Sequence, residues 1–564
     1  MSDGTIRLRL GDWQWNAALI GFINIVGEED VLLIDDAVEF TSEVLVGFEE
    51  KYFDYMIRTY EKTLSWSKIV RFKDKITFYE ESEFDNFDLL SLKALNTYIK
   101  DVKYFIDSAS YKAAYELMGS EVEILSVKKE LEKVKEPKTQ QEFDKVKSEI
   151  LDKVKQVFGI LRKIIDYCDS PSGRRYIRAK NVIYSVVRNA WEDVCFLNPQ
   201  TKERDVYTDY KTDFVDLAVD YIKCDKTKYK YQCFICDAPM KNMNNSMSFL
   251  NETGFDAKKK SSHVWNFEND VALCPVCRLI YSCLPAGMTY VGAQGLYVNA
   301  NIDIGDALSI NYKIKEEVLQ SGENRSTYYA LVKALHEKDN MVAKYEFVDV
   351  QIIRYENAKY RFNILSRNML KIIMAHEEHL NSLINTTFIE NKVRVRVFDE
   401  VTSRIFNSQN LFLLIHKMLQ YKLSNPAKCY FNGTHVKRLL TINEHMYQSL
   451  GGTKMDKNYD LVRNAKRAGE KLRYKYVDKH AENKLPGICY RLLNALKTSN
   501  SGMFMDVILN SYLYVRDQVP NVITDVLGQE KSFSTMGYAF VAGLIEGTDM
   551  KENATENINK GEGE

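Results

Sequence analysis

Four cysteines in two C-x-x-C pairs, Cys233-Phe-Ile-Cys236 and Cys274-Pro-Val-Cys277, constrain this chain more than any other feature. Each pair sets two thiols on one tight knuckle. Two such knuckles supply the four soft ligands that a tetrahedral Zn²⁺ takes. The 37 residues between them, 237–273, are rich in Asn and Lys and contain Lys258-Lys259-Lys260, with no run apolar enough to build a core. A loop of that kind needs its ends clamped, and a metal does so. Four thiolates leave no open position for water, so Cys233, Cys236, Cys274 and Cys277 are expected to hold a structural Zn²⁺ and not a catalytic one. Four unrelated buried thiols are the alternative, and Cys224, Cys283 and His263 lie near enough in sequence to substitute as ligands.

A chain of 564 residues has room for two to four domains and a substantial core. From its 77 Lys+Arg against 78 Asp+Glu no general affinity for polyanions follows, so segregation of charge is what matters. The start, MSDGTIRLRL, carries no apolar signal segment, and no stretch approaches the roughly 20 apolar residues needed to span a bilayer. With ten cysteines and a metal motif, a cytoplasmic protein with no membrane partner is expected. The Asn385-Thr386-Thr387 sequon then carries no meaning.

Alternation at Thr5–Leu10 predicts a half-buried strand, and Asn16–Phe22 a short packed helix. Val31–Ile34 reads as a second strand closed by Asp35-Asp36. An amphipathic helix with Val44, Leu45, Phe48, Tyr52 and Met56 on one side follows. Residues 27–62 hold eleven acidic and three basic side chains, an edge unsuited to nucleic acid. From about 121 to 166 two apolar seams at helical spacing (Ile124, Val127, Leu131, Val134; then Val146, Ile150, Val154, Phe158, Leu161) predict a helical hairpin or coiled-coil arm. Arg174, Arg175 and Arg178 lie on the next helix and are candidate phosphate contacts. Residues 287–304 are glycine-rich and β-like, and from about Ala358 the pattern is almost wholly helical, with breaks at Gly451-Gly452 and Pro486-Gly487.

The expected class is therefore α+β: a mixed N-terminal domain with an inserted four-cysteine zinc segment, then a mainly α-helical C-terminal bundle. In residues, that is an N-terminal domain at 1–220, a zinc-binding and β-like region at 221–305 and a connecting region at 306–357. A helical domain at 358–550 and a disordered tail at 551–564 complete it. In the helical part charge does segregate, since residues 391–480 hold 18 Lys+Arg against 7 Asp+Glu. Arg463, Arg467, Lys471 and Lys475 recur every four residues, flanked by Lys466 and Arg473, opposite an apolar stripe of Leu461, Ala465, Ala468, Leu472 and Tyr476. Such a helix suits a phosphate backbone, which point charges track without reading bases. A solvated face is the plainer reading.

Catalytic patterns are missing. In His376-Glu-Glu-His379 the second His falls at i+3 and not the i+4 of a metalloprotease helix, so the rings are not expected to converge on a metal. Asp35-Asp36 has no third carboxylate or Lys to make a nuclease centre. There is no phosphate-cradling G-x-x-x-x-G-K-[ST] and no G-x-S-x-G. Gly292-Ala-Gln294-Gly295 reads as a β-turn before it reads as a groove-entering loop. The chain is not expected to be an enzyme.

A group of motifs resembles a known family, the large subunit of the type I-B CRISPR Cascade surveillance complex, of the Cst type. They are Gly11-Asp-Trp-x-x-Asn16-Ala-Ala-Leu-Ile-Gly-Phe22, Phe48-Glu-Glu-Lys-Tyr-Phe53, the paired C-x-x-C segment, Tyr297-Val-Asn299 and Gly537-Tyr-Ala-Phe-Val-Ala-Gly543. The resemblance implies a non-catalytic subunit of a CRISPR RNA-containing multi-subunit complex. Such a subunit recognises the protospacer-adjacent motif in double-stranded target DNA, helps open the duplex and recruits a separate helicase-nuclease. Specificity beyond the short motif resides in guide pairing. The helical C-terminal part would correspond to the family's small-subunit-like bundle along a DNA strand. The competing reading is a zinc-stabilised protein-interaction scaffold without nucleic-acid contact.

Overall fold

The computed structural model describes residues 5–119, 121–252, 272–299, 303–320, 350–356, 358–365, 367–449, 460–525 and 530–546. His263, the lysine run at 258–260, Gly451-Gly452, most of the expected connecting region and the expected tail lie outside them. The fold is α+β, mostly helical with several small sheets. It divides into two compact units, residues 1–320 with 352–362, and residues 321–351 with 363–564.

The first unit is built round one helix, Trp13–Val26. Asp12 starts it, its carboxylate accepting from the Gln14 and Trp15 amides, and Gly27 ends it at φ 101°. All but Trp13 and Asn24 are buried, so the helix is apolar all round because it is covered all round. Gly21 and Gly287 let a second helix, Leu284–Gly287, touch it backbone to backbone. A methyl group on Gly21 would sit 2.0 Å from the Cys283 carbonyl oxygen, and one on Gly287 1.7 Å from that of Ala17. An antiparallel sheet of Ile6–Arg9, Ala37–Phe40 and Leu32–Ile34, with Ala37–Phe40 central, covers another side. Asp35-Asp36, read as a strand end leading to a helix, is instead a two-residue hairpin turn with Asp35 at φ 45°. The amphipathic helix then starts at Phe48, after the left-handed Gly47.

Aromatic side chains knit this core: Tyr52 stacks on Tyr210 at 4.4 Å and Phe22 on Phe48 at 5.7 Å. The 121–166 seams pack into the same core instead of standing out as an arm. After the Glu121–Glu130 helix the chain runs non-helically past Val134. Buried Asn96 clamps it there, donating to the Val134 carbonyl at 2.7 Å and accepting its amide at 2.9 Å. Val146, placed in the second seam, is exposed, because the helix Lys147–Cys168 begins immediately after it. The β-like stretch at 287–304 is a hairpin, Thr289–Val291 with Gln294–Asn299, turned at Gly292 (φ 57°). It belongs to a four-stranded sheet with Val350–Glu356 and Lys359–Leu365.

The second unit is a helical bundle carrying one sheet that periodicity did not show. Thr387–Glu390 and Val393–Arg396 form a hairpin, with Cys429–Tyr430 on the other edge. Its turn is Asn391-Lys392, both at positive φ (48° and 68°), a type I′ geometry reached without the usual glycine. The helices Leu461–Asp478 and Glu530–Glu546 cross at a pair of glycines. A methyl group on Gly469 would meet the Phe540 oxygen at 2.1 Å, and one on Gly543 the Lys466 oxygen at 2.1 Å. Pro486 sits in the first turn of the Leu485–Lys497 helix, where its missing N–H costs nothing.

Candidate metal centre and nucleic-acid interface

The first knuckle is a small hairpin. Tyr231–Gln232 pairs with Pro239–Met240, the Cys233 amide donates to Ala238 O at 2.9 Å, and Asp237 closes the turn at φ 55°. The second knuckle is a helix start: Cys274 is the N-cap of Pro275–Ser282, its sulfur accepting from the Cys277 amide at 3.4 Å. The C-x-x-C spacing thus puts Cys277 on the first turn, and the helix N-terminus favours thiolate there. Two backbone amides join the knuckles, Phe234 N donating to Ala272 O at 3.1 Å and Cys274 N to Cys233 Sγ at 3.2 Å.

The four sulfurs of Cys233, Cys236, Cys274 and Cys277 all lie within 4.8 Å of one another, so they could hold a metal ion. Only Cys236 is partly open to solvent. Their mutual hydrogen bonds push the Cys233 thiol down, chiefly through Cys236, and push Cys274 and Cys277 up, chiefly through Cys233. Four thiols so close must share protons; a cation lets all four be thiolates together. The alternatives are elsewhere: Cys224 bonds Tyr221 O at 3.1 Å and the Tyr229 hydroxyl at 3.2 Å, and Cys283 bonds Leu279 O at 3.3 Å. Beyond the knuckle the Pro275–Ser282 helix runs into the core, its Arg278 held by Asp213 at 2.8 Å over the Phe214 ring.

Residues 226–289, which enclose this cluster, match the family model for CRISPR-associated protein (Cas_CXXC_CXXC). The match supports a CRISPR-associated protein. No curated protein and no solved structure matches the chain. No helix among the described residues is long and apolar enough to cross a membrane.

The basic helix sorts into two groups. Leu461, Ala465, Ala468, Leu472 and Tyr476 are buried, and Arg463, Arg467 and Lys471 are exposed along the opposite side. These three have no ion pair among the described residues. Lys475 is paired with Asp517, Lys466 with Glu470 at 2.6 Å, and Arg473 donates to the carbonyls of Leu544 and Ile545 at 3.2 and 2.9 Å. Arg473 thus closes the C-terminal end of the neighbouring helix.

In the first unit Arg174 is held by both oxygens of Asp169 at 2.9 Å. Arg175 grips Glu50 at 2.6 and 3.0 Å and lies 3.8 Å over the Tyr207 ring, and Arg178 is 3.4 Å from Glu61. The acidic 27–62 segment, far away in sequence, supplies two of those three carboxylates. Helical spacing passed over a further set of cations. Lys392 and Arg394 are exposed on the Asn391-Lys392 hairpin, Arg394 lying 5.7 Å from the Tyr430 ring; alternation in Val393-Arg-Val-Arg396 was the available signal.

The His376 and His379 rings, which were not expected to converge on a metal, meet each other with Nδ1 to Nδ1 at 3.0 Å, at the helix break of His376.

Proposed function

We propose that the chain is the non-catalytic large subunit of an RNA-guided CRISPR interference complex, of the type I-B kind. It would recognise the protospacer-adjacent motif in duplex DNA, stabilise strand opening and recruit a separate helicase-nuclease in the cytoplasm. The observation that carries this reading is the coincidence of the CRISPR-associated family match at 226–289 with the four-cysteine cluster.

The metal in this reading is Zn²⁺. A ZnS₄ tetrahedron with Zn–S near 2.3 Å has S···S edges of about 3.8 Å. The Cys236 and Cys274 sulfurs are 3.7 Å apart. Held by four thiolates, the ion supplies no reacting water; its part is to join the hairpin knuckle to the helix that packs beside Trp13–Val26. Arg463, Arg467 and Lys471 are the cations offered to a nucleic-acid backbone. At i+4 spacing they sit about 6 Å apart along the helix, so the row spans about 12 Å, three or four phosphates of one strand.

The test is co-expression of the tagged chain with the genes flanking its own. Recovery with a CRISPR RNA and other subunits, and binding of duplex target only when a cognate motif flanks the protospacer, is the expected result. A chain that assembles with partners but leaves DNA affinity unchanged would instead be the interaction scaffold.

A further inference from the structure

The second unit holds a three-histidine chain that the proposed function does not use. His376 occupies the break between the helices Arg367–Ala375 and Glu377–Ser382, with φ −117° and ψ 24°. Its ring is buried, and each of its nitrogens meets another imidazole. Nδ1 faces His379 Nδ1 at 3.0 Å, and Nε2 faces His445 Nδ1 at 2.5 Å. His445 comes from the helix Gly433–Ser449 and is exposed, and His379 is half-buried. The contacts use opposite nitrogens of the central ring, so the three rings do not converge on one cation. They form a hydrogen-bonded row.

Proton counting gives this row a definite capacity. Three neutral imidazoles carry three N–H groups. Two of these fill the two N···N contacts and the third lies on an outer nitrogen. One more proton fits on the other outer nitrogen, and both hydrogen bonds survive with the charge shared along the row. A second extra proton has only an inner nitrogen to go to. It turns one N–H···N contact into two N–H groups facing each other, between like charges.

We propose that His376, His379 and His445 form a proton-sensitive latch, which holds the 367–382 segment to the Gly433–Ser449 helix and opens when the row takes up more than one proton. Burial and then Arg438 disfavour charge on His379, Glu378 favours it, and His445 and Lys437 disfavour it. Burial, then His445 and His379, push the central ring down to about 4. The sign follows. An opened His376 binds protons below its ordinary value of about 6.5, and the latched one does not until about 4, so the latch weakens as pH falls through that window.

Hydrogen exchange on the full chain, corrected for intrinsic rates, reads the latch directly. Between about pH 7.5 and pH 5, peptides covering 367–382 and 433–449 should open more than about tenfold more readily, as a group held near 4 instead of about 6.5 requires at pH 5. Peptides from 485–497 should not change. His445→Asn, at an exposed position, should flatten the response, and His379→Asn should do so in part. An identical pH response in wild type and His445→Asn overturns the latch. Protection of the same peptides by zinc chloride at about pH 7.5, abolished by His445→Asn, would make the row a cation site and equally overturn it.

Discussion

Neutralising the exposed row on the basic helix tests the proposed interface most sharply. Arg463→Gln, Arg467→Gln and Lys471→Gln, singly and together, remove charge while keeping good helix formers, and none of the three side chains has an ion pair among the described residues to lose. Each phosphate contact contributes about 0.7–0.9 to the slope of log K against log salt. Three contacts therefore account for about 2.1–2.7 of the slope. Over the fourfold rise from about 50 to 200 mM salt, they account for a change in affinity of roughly 20- to 40-fold. Equilibrium binding of the assembled complex to duplex target across that range should show the triple variant's slope shallower by this amount, whatever the target sequence. Lys466→Gln and Arg473→Gln are the controls. Their side chains are engaged with Glu470 and with the carbonyls of Leu544 and Ile545, so they should lower thermal stability and leave the slope alone. The reasoning fails if the triple variant keeps the full slope, or if the two control substitutions change it as much.

Further outcomes follow from the packing. Cys233→Ser or Cys277→Ser should reduce bound zinc from one per chain to none by elemental analysis and expose the 226–289 segment to protease, since binding free energy there is folding free energy. Gly543→Ala should destabilise the chain by about 3 kcal/mol in denaturant unfolding. The added methyl group would lie 2.1 Å from the Lys466 oxygen, and helix propensity returns only about 1 kcal/mol. Asn96→Ala leaves a buried amide and a buried carbonyl of Val134 unpaired and should cost about 2–4 kcal/mol by the same assay.

What sequence alone determined about this protein is what short spacing and helical period can carry. C-x-x-C sets two sulfurs on one knuckle whatever the rest of the chain does, so all four cysteines of the cluster were legible. An i+4 row of cations opposite an apolar stripe likewise marks one helix face. Tertiary structure decided which of those cations have partners of their own. Asp517 pairs with Lys475, and Glu50 and Glu61 reach Arg175 and Arg178 from more than 100 residues away. Charge counted along a window has no access to such pairings. It decided equally that Asp35-Asp36 turns a hairpin, because the strand Ala37–Phe40 is stabilised by pairing on both sides and not by its own pattern. It also set His445 against His376, 69 residues apart, at a helix break that i+3 spacing could not reveal. Local periodicity specifies a face; only packing between distant segments specifies what that face meets.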